Sequence, residues 1–448
     1  MILLFFISYL FLFFWLKLLL PKKTEFLEIF STTSLIFLGL SGFIPFILRE
    51  YVGIGYRFSG YEILLIAFLL LTIEIFLKRK YKFIRGKAPL KGFNKPKLPT
   101  ILFTILSAVI LLRGFLLPIR GWDAISLYDS RARIFLSGLK LSELKDLSTY
   151  DDFNYYYYFS YPPMTSVIHT VFYSLGISRV MVVYALFFCS FLAYLYLLLR
   201  KSRIHNFLKV GLFLSVLLNS LLLGQINIAY TNLPLIAFQV GALYYLLRYS
   251  EEKSLTHLVI SSVLLAFGNW TRSLEPIFVG FIFAAFYLII SEKGKSLARK
   301  LFLGIGYLLI PFVTRTIWFN YLHTSVGSIG ETTPGLGTIL TRILDSLYIA
   351  NLIEVVFFIF IALFPIMLYI FLIIISLIYR KLGIPRTYSK REAVLIIIIS
   401  TMVLLMVGGT LYFSTTFSWW NRIPESFLRS NLLLIPISVI FLSLAMEK

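Results

Sequence analysis

Cysteine is almost missing from this chain: Cys189 stands alone among 448 residues, inside an apolar run. A single thiol excludes an intramolecular disulfide framework and any cysteine-cluster metal site. Charge is scarce as well, at 14% of residues, where a soluble domain carries about a quarter. Acids are the scarcest charged class, with 21 Asp and Glu against 42 Lys and Arg. Long polar stretches are absent too. The length would allow several soluble domains, but no segment has the composition of one.

What fills the sequence instead is apolar. Hydrophobic residues make up 59% and aromatics 17%, with a mean hydropathy of +0.88. Tyrosine and tryptophan in such abundance suit a protein with many membrane–water interfaces. The net charge of +21 resembles that of a nucleic-acid binder, but its placement excludes that reading. The basic residues lie between apolar runs, most densely at 78–97, which holds nine Lys or Arg and no acid. Basic loops beside spans follow the positive-inside rule and attract the headgroups of membrane lipids.

A transmembrane helix needs about 20 mostly apolar residues. Spans are expected at 2–20, 26–48, 61–77, 98–119, 180–199, 207–224, 228–247, 258–270, 276–290, 301–321, 352–378, 393–413 and 432–445. The fold class is therefore an all-α polytopic membrane protein of about 13 transmembrane helices. The first run lacks a basic start and a small-residue cleavage site, so it reads as a span rather than a signal peptide. With 78–97 placed in the cytoplasm, every other basic loop also falls inside, provided that 164–176 does not cross. That stretch is short for a span and reads as interfacial or re-entrant. The N-terminus is then outside and the C-terminus cytoplasmic. Three parts follow: 1–97, the leading spans and basic linker; 98–290, a module with the outer loop 120–163; and 291–448, with outer loops 323–346 and 414–430.

The longest outer loop carries most of the candidate chemistry. Ile125, Tyr128, Ala132 and Phe135 share one helical face, Asp129 and Arg133 sit four apart on another, and Gly138 can close the helix. Such a helix lies on the membrane surface, and a second short one is expected around 141–147. Asp123, just past a span, has two readings: an N-cap for the loop helix or a general base at the membrane surface. Asp151 and Asp152 precede the tyrosine run 155–158. They read as a solvated turn or as oxygen ligands for a divalent cation or an acceptor. Further on, Asn269–Glu275 reads NWTRSLE and joins two short spans. Arg272 and Glu275 at that depth are either a self-neutralising pair or a functional site. The pair Trp419 and Trp420 reads as an interface anchor.

The order of these features resembles that of the GT-C fold membrane glycosyltransferases, with the nearest likeness to the protein O-mannosyltransferase and aminoarabinose-transferase relatives. The resemblance covers 98–290 and rests on WDA at 122–124, YDSRA at 128–132, YPP at 161–163 and TRSLE at 271–275. It implies that Asp123 matches the family's catalytic aspartate and that Tyr161 opens the segment before the next full span. Many relatives carry a lysine or another charged group just before the prolines, near the donor phosphate. Here Ser160 and Tyr161 stand there, so Arg272, Arg131 and Arg120 are the candidate phosphate ligands. Asp129, Asp151, Asp152, Tyr161 and Glu275 are candidates for the acceptor or supporting site. The implied partners are a polyprenyl-phosphate sugar donor and a glycan, lipid or protein acceptor. No cofactor is required by the chemistry, and a divalent cation is left open by the Asp151–Asp152 pair. The alternatives are a non-enzymatic transporter or lipid flippase, and a polysaccharide polymerase or ligase. Transporters often have paired halves with interrupted helices, a symmetry this sequence does not display.

Overall fold

The structure is a computed structural model. It describes residues 2–21, 24–53, 98–143, 162–272, 277–294, 296–326, 336–382, 388–416, 420–422 and 424–447. Every regular element among them is helical. Five helical stretches are long and apolar enough to cross a bilayer: Phe26–Val52, Met181–Lys201, Leu297–Thr324, Ile349–Ile378 and Lys390–Thr416. The chain is thus an integral membrane protein. The spans expected at 2–20, 98–119, 258–270, 276–290 and 432–445 fall on shorter apolar helices, 228–247 falls on the 21-residue helix Asn232–Glu252, which is not among the five, and 61–77 lies outside the described residues. The span expected at 207–224 is two helices, α7 (Asn206–Leu217) and α8 (Ser220–Ile226), bent by 54°. Asn219 makes the break, its Oδ1 accepting from the backbone N–H groups of Leu221 and Leu222. This is the local competition with helix that asparagine favours.

The chain divides into two compact units. The first comprises Met1–Tyr194, Leu223–Gly241 and Trp270–Arg272; the second comprises Leu195–Leu222, Ala242–Asn269 and Ser273–Lys448.

In the first unit, helix α1 (Ile2–Leu19) packs on α2 (Phe26–Ile47). Tyr9 OH meets Ser34 Oγ across that contact at 2.8 Å. Helix α2 runs on through a π turn, Leu48–Val52, and stops at Gly53, whose φ of +84° few other residues adopt readily. Helix α3 (Leu98–Leu116) lies against α6 (Met181–Lys201), and Gly114 permits the close approach, since a Cβ there would stand 2.7 Å from Ala185 Cβ. Between them in sequence come α4 (Ser130–Ser137) and α5 (Met164–Ser174), which pack on each other. At about 1.5 Å per residue, the 11 residues of α5 reach roughly half of a ~30 Å hydrocarbon core. That is too short to cross unaided. Helix α5 instead lies along α2 at Gly42, where an added Cβ would come 2.6 Å from Met164 Cγ. Trp270 Nε1 donates to the Gly42 carbonyl at 3.1 Å, one turn before Pro45.

The second unit holds the C-terminal helices. Pro311 interrupts the helix Leu297–Tyr321 and cannot donate to the carbonyl of Tyr307. Ser262 Oγ donates to that carbonyl instead, at 2.7 Å. Asn269, first of the NWT triplet, is buried and donates to the Pro311 carbonyl at 3.0 Å, so its amide is engaged inside the protein. Trp420 is likewise a core residue and not an interface anchor, packing edge-on against Phe358 with centroids 5.1 Å apart.

Candidate active site

The loop that follows α3 turns at Gly121, with φ +94° and its α-carbon closely faced by Ile228 and Tyr230. A Cβ there would lie 3.1 Å from Ile228 Cγ2. This contact seats the start of the loop on the connector 225–232. Trp122 then opens a helix, and Asp123 is already helical at φ −61°, ψ −30°. Its side chain makes no capping bond, so the N-cap reading fails. The cap would need an extended backbone at Asp123, and the helix begins one residue earlier.

Residues Ala124–Asp129 form a π helix that passes into α4. The wider turn explains a departure from the expected amphipathic face. Tyr128, Ala132 and Phe135 are buried as expected, but Ile125 is 53% exposed. Each π turn carries an extra residue, which rotates Ile125 off the apolar side and turns Leu127, Asp129 and Arg131 inward. Ser130 Oγ marks the register by donating to the Ile125 carbonyl at 2.7 Å, five residues back. Gly138 closes α4 at φ +101°, as the sequence implied. Three residues on, the chain is tied to the π extension of α2, with the Leu141 N–H donating to Glu50 Oε1 at 3.1 Å.

Asp129 and Arg131 anchor this loop to α5. Asp129 Oδ2 accepts from Arg133 Nε at 2.8 Å, and Oδ1 accepts from Tyr173 OH. The pair predicted from spacing forms, but Asp129 is buried while the Arg133 side chain is 70% exposed. Arg133 also lies over the Tyr173 ring, 5.5 Å from its centroid. Arg131 is fully buried, with Nε donating to Ser166 Oγ at 2.8 Å and Nη2 to the Pro162 carbonyl at 3.4 Å. It therefore holds the Pro162–Pro163 segment and the first turn of α5. Arg120 is exposed.

His169 was not anticipated. Its imidazole is fully buried, with Nδ1 3.9 Å from Asp129 Oδ1 and Nε2 3.1 Å from Tyr184 OH. Burial pushes it down to about 4; nearby Asp129 opposes the shift and Arg131 adds to it. The sign of the pH effect follows. A buried neutral histidine stabilises the fold fully above the ordinary value near 6.5. That stability is lost as pH falls from there toward 4, because the unfolded chain binds the extra proton. Thermal unfolding in detergent should show stability falling over that window, approaching about 1.4 kcal/mol per pH unit. His169→Gln should flatten the slope, and an unchanged slope would remove His169 as its source.

The connector between Ser220–Ile226 and α9 (Asn232–Glu252) gathers the remaining groups. Tyr128 OH reaches Thr231 Oγ1 at 3.4 Å, and its ring lies 6.2 Å from that of Tyr230. Arg113 Nη2 donates to Asn227 Oδ1 at 3.2 Å. Arg272 follows α10 (Leu255–Thr271), and its Nη1 donates to Asn232 Oδ1 at 2.7 Å. Asn232 Nδ2 in turn donates to Gln225 Oε1 at 3.1 Å. The loop of Asp123 and the segment of Arg272 thus meet one connector, to which the sequence analysis assigned no role. The available signal was the run of polar residues Gln225, Asn227, Thr231 and Asn232 between apolar stretches. Asp151, Asp152, Tyr161 and Glu275 lie outside the described residues.

No curated protein and no solved structure matches this chain. Residues 160–318, from the proline segment through α10 and beyond, match the model of the dolichyl-phosphate-mannose-protein mannosyltransferase family, which is a family of GT-C type glycosyltransferases.

Proposed function

We propose that this protein is a membrane glycosyltransferase that moves a sugar from a polyprenyl-phosphate donor to an acceptor hydroxyl at the outer membrane face. The observation that carries the reading is the shared connector: the loop bearing Asp123 packs on residues 228–231, and Arg272 is bound by Asn232 beside them. The family match over 160–318 supports the same chemistry.

In this reading Asp123 takes the proton from the acceptor hydroxyl as its oxygen attacks the anomeric carbon. The bond from that carbon to the phosphate oxygen breaks, and its electron pair leaves with the phosphate. Attack opposite the leaving group inverts the anomeric centre. Phosphate departs readily, so one carboxylate suffices, unlike the two commonly used in glycoside hydrolysis. Arg272 and Arg120 meet the growing negative charge, while Arg131 acts from behind, through the proline segment it holds. Asp129 supports the loop, and Tyr161, Asp151, Asp152 and Glu275 are assigned to the acceptor side. The N-terminus is outside and the C-terminus cytoplasmic.

The test is a transfer assay on the purified protein in lipid, with a radiolabelled panel of polyprenyl-phosphate sugars, with and without chelator. Label leaving the lipid donor for water, lipid or polymer is the expected result. A diphosphate-linked oligosaccharide donor separates this reading from a polymerase or ligase. Lack of transfer from every monophosphate donor by folded, lipid-binding protein would favour transport instead.

A further inference from the structure

Arg272 is aimed by an amide, and a second amide sets the orientation of the first. Asn232 is 3% exposed and Gln225 7% exposed. An asparagine side chain has nearly the same shape with its oxygen and nitrogen exchanged, but an arginine can only donate. If the Asn232 NH2 faced Arg272, donor would meet donor. Gln225 and the donor-only Arg272 together hold the other orientation: Gln225 Oε1 accepts from Asn232 Nδ2 at 3.1 Å, and Asn232 Oδ1 accepts from Arg272 Nη1 at 2.7 Å. The choice of an amide matters too. A carboxylate at 232 would also accept from the guanidinium, but it would add a negative charge beside the group meant to attract one. An amide orients the arginine and adds none.

We propose that Asn232, oriented by Gln225, is a positioning residue that holds the Arg272 guanidinium toward the donor's phosphate oxygens without offsetting its charge. This rests on Arg272 being a phosphate ligand. Gln225 and Asn232 sit at the two ends of the connector that also receives Gly121 and Tyr128. The same connector therefore sets the arginine and the loop of Asp123 in register.

The test compares the affinity of the full-length protein in lipid for a polyprenyl monophosphate with that for the same polyprenol lacking phosphate. Arg272→Ala should weaken monophosphate binding by about ten- to a hundredfold, the scale of a hydrogen bond to a charged group. Asn232→Ala and Gln225→Leu should weaken it by roughly tenfold and raise the donor KM more than they lower kcat. Asn232→Asp is decisive because it keeps the shape and the accepting oxygen. A purely structural role predicts near-native binding in that variant, whereas the positioning role predicts a loss at least as large as in Asn232→Ala. Polyprenol binding should stay the same throughout. If Arg272→Ala loses affinity while Asn232→Asp binds like the native protein, the positioning role fails and the phosphate reading of Arg272 survives. If Arg272→Ala itself binds normally, both fail. Should Asn232→Ala not fold, the Asn232→Asp comparison stands alone and decides between the two roles.

Discussion

Asp123→Asn is expected to lower sugar transfer by about a hundred- to ten-thousandfold, the usual contribution of a positioned general base. Membrane insertion and thermal stability should stay close to native. The substitution keeps size and shape while it removes the negative charge and the capacity to take a proton and exchanges one accepting oxygen for an NH2 donor. No capping energy is lost, because the backbone at Asp123 is already helical and the side chain makes no capping bond. Had it been a cap, its replacement by alanine would cost about 1 kcal/mol. The measurement is single-turnover transfer with donor and acceptor saturating, alongside donor KM and unfolding temperature. A large fall in kcat with little change in KM supports the base assignment. Full activity in the variant would remove Asp123 from the mechanism.

Arg131→Ala is expected to have the largest effect on stability, a loss of about 3 kcal/mol or more. Two costs add. A large, fully buried side chain leaves a cavity, typically about 2–5 kcal/mol for big-to-small core changes. Its departure also strips donors from Ser166 Oγ and the Pro162 carbonyl, and orphaned buried polar groups cost roughly 1–3 kcal/mol each. Arg131→Met, which restores much of the volume and none of the donors, should recover part of the loss. Thermal unfolding in detergent without donor is the readout, and transfer should fall in parallel with folded fraction. If instead Arg131→Ala unfolds at the native temperature and loses donor affinity, Arg131 binds phosphate directly and its role behind the proline segment is wrong.

Much of this was legible in the chain itself. The apolar runs mark helices because backbone groups in lipid must bond internally, and only helices and closed barrels achieve that. The stretch 164–176 reads as non-crossing from its length alone, and α5 within it is 11 residues long. The four-residue spacing of Asp129 and Arg133 predicts their ion pair, and Gly138 predicts where α4 stops. Local rules reach this far because each depends on near neighbours in sequence.

They fail where a register changes or a partner is distant. The π helix over Ala124–Asp129 is invisible to a periodicity of 3.6, so the inward turn of Asp129 and Arg131 was missed. His169 and Tyr173 look like ordinary residues of a short apolar helix. They become a polar cluster only because the π helix lays Asp129 against them.

By itself the sequence determined that this is an α-helical membrane protein, with an aspartate early in a long loop and an arginine between two short apolar runs. The tertiary structure decided which polar groups meet. Gly121 and Tyr128 come to the connector over about a hundred residues of chain, and Asn232 meets Arg272 over 40. Hydropathy and spacing encode the medium a segment lies in and its neighbours one turn away. Long-range contacts are selected by packing and by the cost of leaving buried polar groups unpaired. No local pattern records either of these.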